Sequence, residues 1–330
     1  MRILLLQIVW LAVAVELACF GGDPVTKVPL GLDEFIPVPE DNPQTGEKIE
    51  LGRRLFFDKQ LSRDGTIACA TCHLPERALT DAKPVAVGIE GRPGRRNAPS
   101  LFNRAYGKAF FWDGRVKSLE EQPLTAITNR NEMDLTLPEF EFRLDRNRDY
   151  SMAFGSVFGE RPHARNAAKA LATFVRTLLS GNSPFDRFEH GDQNALSDAA
   201  KRGLQIFRGK GNCIPCHSGP LLSDEEFHNT GVSWGKEPLD LGRFEVTKRE
   251  QDRGKFKTAT LRNIALTAPY MHDGSLATLD DVIEFYSKGA LPNPSLDREV
   301  RPLNLHPEEK VDLITFLKCL SGELQIEPQL

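Results

Sequence analysis

The 330-residue sequence lacks any excess of positive charge: 42 Lys and Arg stand against 46 Asp and Glu, a net charge of −4. Phosphate backbones are held by basic surfaces, so this balance argues against nucleic acid as a partner. Strand-like alternation of apolar and polar residues is scarce, which leaves all-β and α/β folds without support. Long hydrophobic runs are also missing, with one exception. The opening "MRILLLQIVWLAVAVELACF" pairs Arg2 with an apolar run from Ile3 to Val15, the length of a signal-peptide core and too short to span a bilayer comfortably. Export to the periplasm is the expectation, with residues 1–22 as the signal segment. Leu17, Ala18 and Cys19 suit a lipidation box, while Glu16 sits where an apolar residue is usual. Lipid attachment at Cys19 and cleavage after Ala14 therefore both stand, and membrane contact is expected only through such a lipid.

Cysteine is too sparse for a disulfide scaffold of this size, and four of the six fall into two pairs. "CATCH" supplies Cys69, Cys72 and His73; "CIPCH" supplies Cys213, Cys216 and His217. Both read C-x-x-C-H, the attachment motif of c-type haem. Two thiols add across the two vinyl groups of one haem, and the adjacent His lies under the iron as proximal ligand. A zinc held by all four cysteines leaves both histidines unexplained, and a thioredoxin-like pair needs no His. Two covalent haems follow. Cys319, in the apolar "LITFLKCLSG", reads as a buried small hydrophobe.

The chain repeats itself beyond the cysteines. "GRRLFF" precedes the first motif and "GLQIFRG" the second, while "ALATFVRTLLSG" and "DLITFLKCLSG" close the two halves. Between them "SLFN" matches "TLRN", and "WDGRVKSLEEQ" at 112–122 matches "HDGSLATLDDV" at 272–282, at a constant offset of 160 residues. The closing segments read as amphipathic helices. Ala167, Ala170, Leu171, Phe174, Val175 and Leu178 recur at helical spacing in the first; Val311, Ile314, Leu317 and Leu320 do so after Pro307 in the second. The expectation is an all-α fold of two helical haem domains related by duplication, residues 23–185 and 186–330. A linker is expected near "GNSPFDRFEHGDQNALS", rich in Gly, Asn, Pro and Asp.

Axial ligands are few. "YMHDGSLATLDDVIEFYSKG", residues 270–289, holds Met271, His272, Tyr270 and Tyr286. Met271 and His272 correspond to Phe111 and Trp112, which suggests packing for the first and a structural or inter-haem position for the second. Tyr286 falls on a helix expected from Thr278, where it is either a core tyrosine or an iron ligand. Its counterpart in the first half is Ala126, which cannot bind iron. No histidine occurs between His73 and His163, and the only sulfur nearby is Met133. The first iron is thus expected to be five-coordinate and open to a small ligand such as hydrogen peroxide. Close by, "EEQPL" supplies Gln122 and "TNRNEM" supplies Glu132. Cleavage of an O–O bond needs a group that moves a proton between the oxygens, which a carboxylate near the iron can do; on spacing alone an exposed, solvated charge is the favoured reading.

Together the two CxxCH motifs, "RRNAPSLFN", "FWDGR", "NEM", "FHNTGV" and "LRNIALTAPYMHDG" resemble the bacterial di-haem cytochrome c peroxidase and MauG superfamily, over about residues 45 to 322. The resemblance implies two cytochrome-c-like domains. It places Trp112 between the haems as an electron relay, and Gln122 and Glu132 in the distal pocket of the first. Asn97, Thr267 and Pro269 match residues that hold a calcium ion between the domains, the latter two through backbone carbonyls. Other peroxidases of the superfamily carry a distal His where this chain has Ile89, and a Met where it has Tyr286. Tyrosine there is the MauG pattern, in which an anionic oxygen ligand stabilises oxidised iron and the iron pair shares two oxidising equivalents as a bis-ferryl state. MauG also has a Trp six residues before its second proximal His; this chain has Gly211. That departure argues against tryptophan tryptophylquinone formation as the reaction, and leaves Trp234, in "GVSWGK", as another surface aromatic. The expectation is a peroxide-using oxidase of a protein or other donor. The alternative is a peroxidase reducing peroxide with electrons from a small cytochrome c or cupredoxin.

Overall fold

A computed structural model describes residues 26–324; the expected signal segment and Cys19 lie outside the described residues. The helices in chain order are α1 Gly46–Phe57, α2 Cys69–Cys72, α3 Gln122–Thr128, α4 Leu137–Arg146, α5 Arg148–Phe158, α6 Ala164–Thr177, α7 Pro184–Glu189, α8 Asp198–Arg208, α9 Phe244–Thr247, α10 Leu279–Ser287 and α11 Pro307–Lys318. Only two-residue strands accompany them: β1 Ser180–Gly181 pairs antiparallel with β4 Glu323–Leu324, and β2 Phe227–His228 with β3 Phe256–Lys257. No helix among the described residues is long and apolar enough to cross a membrane.

Each half is built on one helix crossing. In the first, α1 lies against α6 with Leu51, Leu55 and Phe56 facing Ala167, Ala170, Leu171 and Phe174. In the second, α8 lies against α11 with Ala200, Leu204 and Phe207 facing Leu313, Phe316 and Leu317. Each fully buried Leu or Phe contributes roughly 1.5–3 kcal/mol. Phe56 meets Phe174 with ring centroids 5.2 Å apart at 59°, and Phe207 meets Phe316 at 5.2 Å and 57°. A glycine sits at each crossing for the same reason. A Cβ on Gly52 would stand 2.0 Å from the Ala170 carbonyl oxygen, and one on Gly203 2.0 Å from that of Asp312. Other local geometry also recurs 160 residues apart. Asn103 and Asn263 both adopt φ 60°, and their amides donate to Leu178 and Leu320 at 2.9 and 3.0 Å. The turns Phe110–Val116 and Tyr270–Leu276 are closed by the same antiparallel bridge.

Two sequence expectations need correction. Part of the expected linker is the helix α7, because Ser183 and Asp186 form a reciprocal cap and Pro184 occupies the first helical position. Val311 is 62% exposed rather than part of the buried stripe of α11. The crossing with α8 selects Leu313, Ile314, Phe316, Leu317 and Leu320, and at about 100° per residue Val311 points to the opposite side.

The two helix-crossing clusters meet along an ionic seam. Arg104 grips Glu225 through two hydrogen bonds of 2.8 and 2.9 Å, and Lys257 adds a third at 3.0 Å. Arg96 bridges Asp113 at 2.6 Å and Asp240 at 2.8 Å. Arg243 donates to the carbonyls of Asp113 and Gly114 at 2.8 and 2.7 Å. Burial pushes the Glu225 carboxyl up, but Arg104 and Lys257 outweigh it and hold it down at about 2.

Replacing Gly203 by Ala should cost about 3 kcal/mol, since the opposing group is backbone and cannot swing aside; denaturant unfolding of the haem-loaded protein measures it. Replacing Glu225 by Gln leaves Arg104 and Lys257 buried without their counter-ion and should cost about 3–5 kcal/mol near neutral pH. The folded value lies below that of the unfolded chain, so the stabilisation is present above the ordinary carboxylate range and is lost as pH falls through about 2. Unfolding curves of parent and variant should therefore converge at low pH.

Candidate haem centres and the cavity between the halves

The CxxCH segments take the same shape twice. Cys69–Cys72 forms a single helical turn whose Thr71 hydroxyl accepts from the Ala68 amide at 2.9 Å. The His73 amide donates to the Cys69 carbonyl at 3.0 Å, as the His217 amide does to that of Cys213 at 2.9 Å. Beyond each turn the chain doubles back: Nδ1 of His73 lies 3.0 Å from the Leu79 carbonyl, and Nδ1 of His217 3.0 Å from that of Leu222. A carbonyl only accepts, so Nδ1 carries the proton and Nε2 keeps its lone pair. Burial pushes both imidazoles down, which keeps them neutral. Two oriented neutral histidines are what axial ligation of iron requires.

Cys69, Cys72, Cys213 and Cys216 form no disulfide. Burial pushes Cys69 and Cys213 up to about 12 and Cys72 to about 11. Nor do the pairs converge: among the described residues the one cluster of three metal-ligating groups is Cys216, Asp224 and His228. A four-cysteine zinc site is excluded by geometry. His228 is instead held between carboxylates, Nδ1 2.6 Å from Asp297 and Nε2 2.9 Å from Asp224.

Beside the second motif lies a cavity of about 290 Å³, lined by Cys213, Cys216, His217, Leu279, Val282 and Tyr286 among others. Thr278 caps α10 by accepting from the Asp281 amide at 3.1 Å, with Asp281 reaching back. Val282 and Tyr286, four apart, thereby share the cavity face. Burial pushes the Tyr286 phenol up to about 12, against a hydrogen bond from Thr230. The phenol keeps its proton until a cation replaces it. Cys319 packs at the edge of the second core cluster, its thiol donating to the Thr315 carbonyl at 3.3 Å.

In the first half α3 carries Gln122 and Ala126 on one face. Gln122 lines the same cavity; Ala126 is half-buried. Glu132 lies in the turn after α3, half-buried rather than solvated. Its carboxylate accepts from Asn129 Nδ2 at 2.6 Å, and its carbonyl accepts from the Ile89 amide at 3.0 Å. Burial raises its pKa, while Arg115 and Asn129 pull it down. Its charge is close enough to push both Cys69 and Cys72 upward, so the turn faces the first attachment site. Glu132 is not among the residues lining the large cavity that Gln122 reaches. Ile89 is fully buried.

Trp112 and His272, at equivalent positions in the repeat, face each other edge-on with ring centroids 6.4 Å apart. The indole N–H donates to the Asn97 carbonyl at 2.9 Å, and the Asn97 amide donates to the His272 carbonyl at 2.8 Å. Asn97, Thr267 and Pro269 all line the cavity. The carbonyl oxygens of Thr267 and Pro269 accept no hydrogen bond among the described residues, and Asn97 spends only its Nδ2, on the Lys83 carbonyl at 2.7 Å. Three uncommitted oxygens among the cavity-lining residues are of the type that a hard cation such as calcium takes.

Three features escaped sequence reasoning. Arg115, inside the quoted "FWDGR", supplies the positive charge near Glu132. The Leu79 and Leu222 carbonyls orient the histidines, and backbone acceptors leave no sequence signal. Ser233 Oγ lies 2.8 Å from His272 Nε2, a pairing across 39 residues with no motif to announce it.

Comparison with known proteins agrees with this geometry. Residues 46–194 match the family model described as di-haem cytochrome c peroxidase. The chain is 42% identical to methylamine utilization protein MauG of Methylorubrum extorquens over 292 residues, 88% of this chain and 82% of that protein. It is 38% identical to cytochrome-c peroxidase IdrP1 of Pseudomonas sp. (strain SCT), over 94% of this chain and 90% of that one. The crystal structure of a MauG-like protein associated with microbial copper homeostasis superposes with a TM-score of 0.81 at 35% identity, covering 88% of this chain and 95% of that one. Two CxxCH turns with neutral, oriented histidines and these relatives lead to one conclusion: the chain belongs to the di-haem cytochrome c peroxidase family, which includes MauG, and is a haem-dependent oxidoreductase.

Proposed function

We propose that the protein is a MauG-type di-haem enzyme of the periplasm that uses hydrogen peroxide at its first haem and oxidises a protein or other electron donor at a distance. Two duplicated cytochrome-c-like domains, residues 23–185 and 186–330, each hold one haem c through paired thioethers, with a calcium ion between them. The observation that carries this reading is the asymmetry of two equivalent helices: α10 turns Tyr286 into the cavity with His217, and α3 has Ala126 at the matching position. Haem, when bound, supplies the redox iron at both sites. His73 and His217 would hold the irons through Nε2, and Tyr286 would be the further ligand of the second, where a phenolate would favour the oxidised state. Ala126 leaves the first open. Glu132 takes the proton from one peroxide oxygen and returns it to the leaving oxygen; the family resemblance sets Gln122 beside it, while in this chain Gln122 lines the cavity with Cys213 and His217. Trp112 carries electrons between the sites, held by Asn97, which with Thr267 and Pro269 binds the calcium.

A second reading, a peroxidase that reduces peroxide to water with electrons from a small redox protein, is favoured by Gly211, where MauG has its substrate-facing tryptophan. High turnover with reduced cytochrome c as donor supports this alternative; negligible turnover supports the primary one.

The resting haem-loaded protein should show one high-spin five-coordinate and one low-spin ferric haem by EPR and electronic absorption. Tyr286→Phe should convert the low-spin signal to high-spin; an unchanged low-spin signal removes Tyr286 as ligand. Glu132→Gln should slow the stopped-flow reaction with peroxide by about 10²–10⁴-fold. A base must be unprotonated and burial raises this carboxyl, so the parent rate should rise with pH through a limb above the ordinary carboxylate range. The variant should lack that limb.

A further inference from the structure

We propose that Trp234 is the surface end of an electron path that leaves Trp112 through His272 and Ser233, and that the donor is oxidised there. The proposal rests on the peroxide-using reading above and goes beyond it by naming the exit. Trp112 edges onto His272 at 6.4 Å between ring centroids. His272 is only 4% exposed and lies flat on Phe256, centroids 3.6 Å apart at 11°, so its ring is fixed. Its Nε2 is joined to Ser233 Oγ at 2.8 Å, and Ser233 is the residue before Trp234. One ring contact, one hydrogen bond and one peptide link thus connect the Trp112 indole to a second indole.

Trp234 is placed to serve as a terminus. It is half-exposed, on a turn closed by its own amide donating to the Gly231 carbonyl at 3.0 Å. The turn is pinned on both sides of the ring. Lys236 is paired with Asp273, the neighbour of His272, and a Cβ on Gly231 would stand 2.4 Å from the Leu291 carbonyl. No other aromatic ring packs against Trp234 among the described residues. His272 serves as a bridge and not as a stopping point, since a neutral imidazole is harder to oxidise than an indole.

The electrons balance over one peroxide. Two electrons pass one at a time from Trp112 to the peroxide-oxidised iron pair, and two protons from solvent complete two waters. Each vacancy on Trp112 is refilled by one electron from Trp234. The Trp112 N–H faces a carbonyl that cannot take its proton, so the vacancy stays mobile. Trp234 is then restored by one electron from the donor, which loses two in all. A donor too large to reach either haem is the class this exit suits: a protein, or a surface-bound aromatic or metal centre.

The test uses the haem-loaded full chain with peroxide and no donor. In the parent protein, peptide mass spectrometry should find Trp234 as a main site of oxygen addition. Trp234→Phe should leave the rate of peroxide-induced haem spectral change as it is and slow the return to the resting spectrum at least 5-fold. Ser233→Ala, which keeps Trp234 but removes the hydrogen bond, should slow the return by a smaller factor and reduce Trp234 oxidation. A merely structural role would change the forward rate as well. Unmodified Trp234 in a protein whose haem spectrum responds normally, or an unchanged return rate in Trp234→Phe, overturns the exit alone. A parent spectrum that does not respond to peroxide overturns the exit together with the peroxide-using reading.

Discussion

Everything at the centre of the molecule depends on three hydrogen-bonding groups of one residue, Asn97. Its amide holds the His272 carbonyl, its own carbonyl holds the Trp112 indole, and its side-chain amide holds the Lys83 carbonyl. Asn97 belongs to the first half and His272 to the second, so the orientation of Trp112 is fixed by the same contact that joins the halves. The surrounding seam of Arg104–Glu225–Lys257 and Arg96–Asp113–Asp240 prevents that contact from sliding. Buried pairs of this kind add little net stability compared with apolar packing, but a wrong register would strand their charges. Their physical effect here is positional: they hold the edge-to-face rings of Trp112 and His272 in register.

Much of the fold was legible because the repeat let one half interpret the other. Gly52 and Gly203 each precede a cysteine motif in matching words, and each proves to be the point where one helix meets another's backbone. The CxxCH turns were legible for a different reason, since the chemistry of thioether attachment dictates the spacing. What escaped was set by tertiary choice. Val311 has the right residue type and nearly the right period, but the crossing of α11 with α8 selected a neighbouring stripe. Residues 181–197 have loop-like composition, yet Ser183 and Asp186 cap each other locally and win a helical turn. Glu132 looked like a solvated charge by composition; only the fold brings Ile89 and Asn129 around it. The Ser233–His272 bond was beyond reach because nothing local demands it.

The two haem centres differ by more than their axial positions. In each half an aspartate follows two residues after the carbonyl that orients the proximal histidine: Asp81 after Leu79, Asp224 after Leu222. Asp224 is answered by His228, whose ring nitrogens lie 2.9 Å from Asp224 and 2.6 Å from Asp297. Asp81 is 7% exposed, its Oδ2 has no hydrogen-bond partner, and burial raises it. The first site therefore has a lone buried carboxyl, and the second a carboxylate–imidazole–carboxylate cluster. A repeated scaffold supplies the same backbone cradle twice, and a few unmatched side chains, Ala126 against Tyr286 and Asp81 against the Asp224–His228–Asp297 cluster, divide its labour. Under the proposed function, the first of these differences leaves one site able to take a ligand and closes the other. Those differences require no change in the helices: the crossings, turns and glycines match between the halves where these side chains do not.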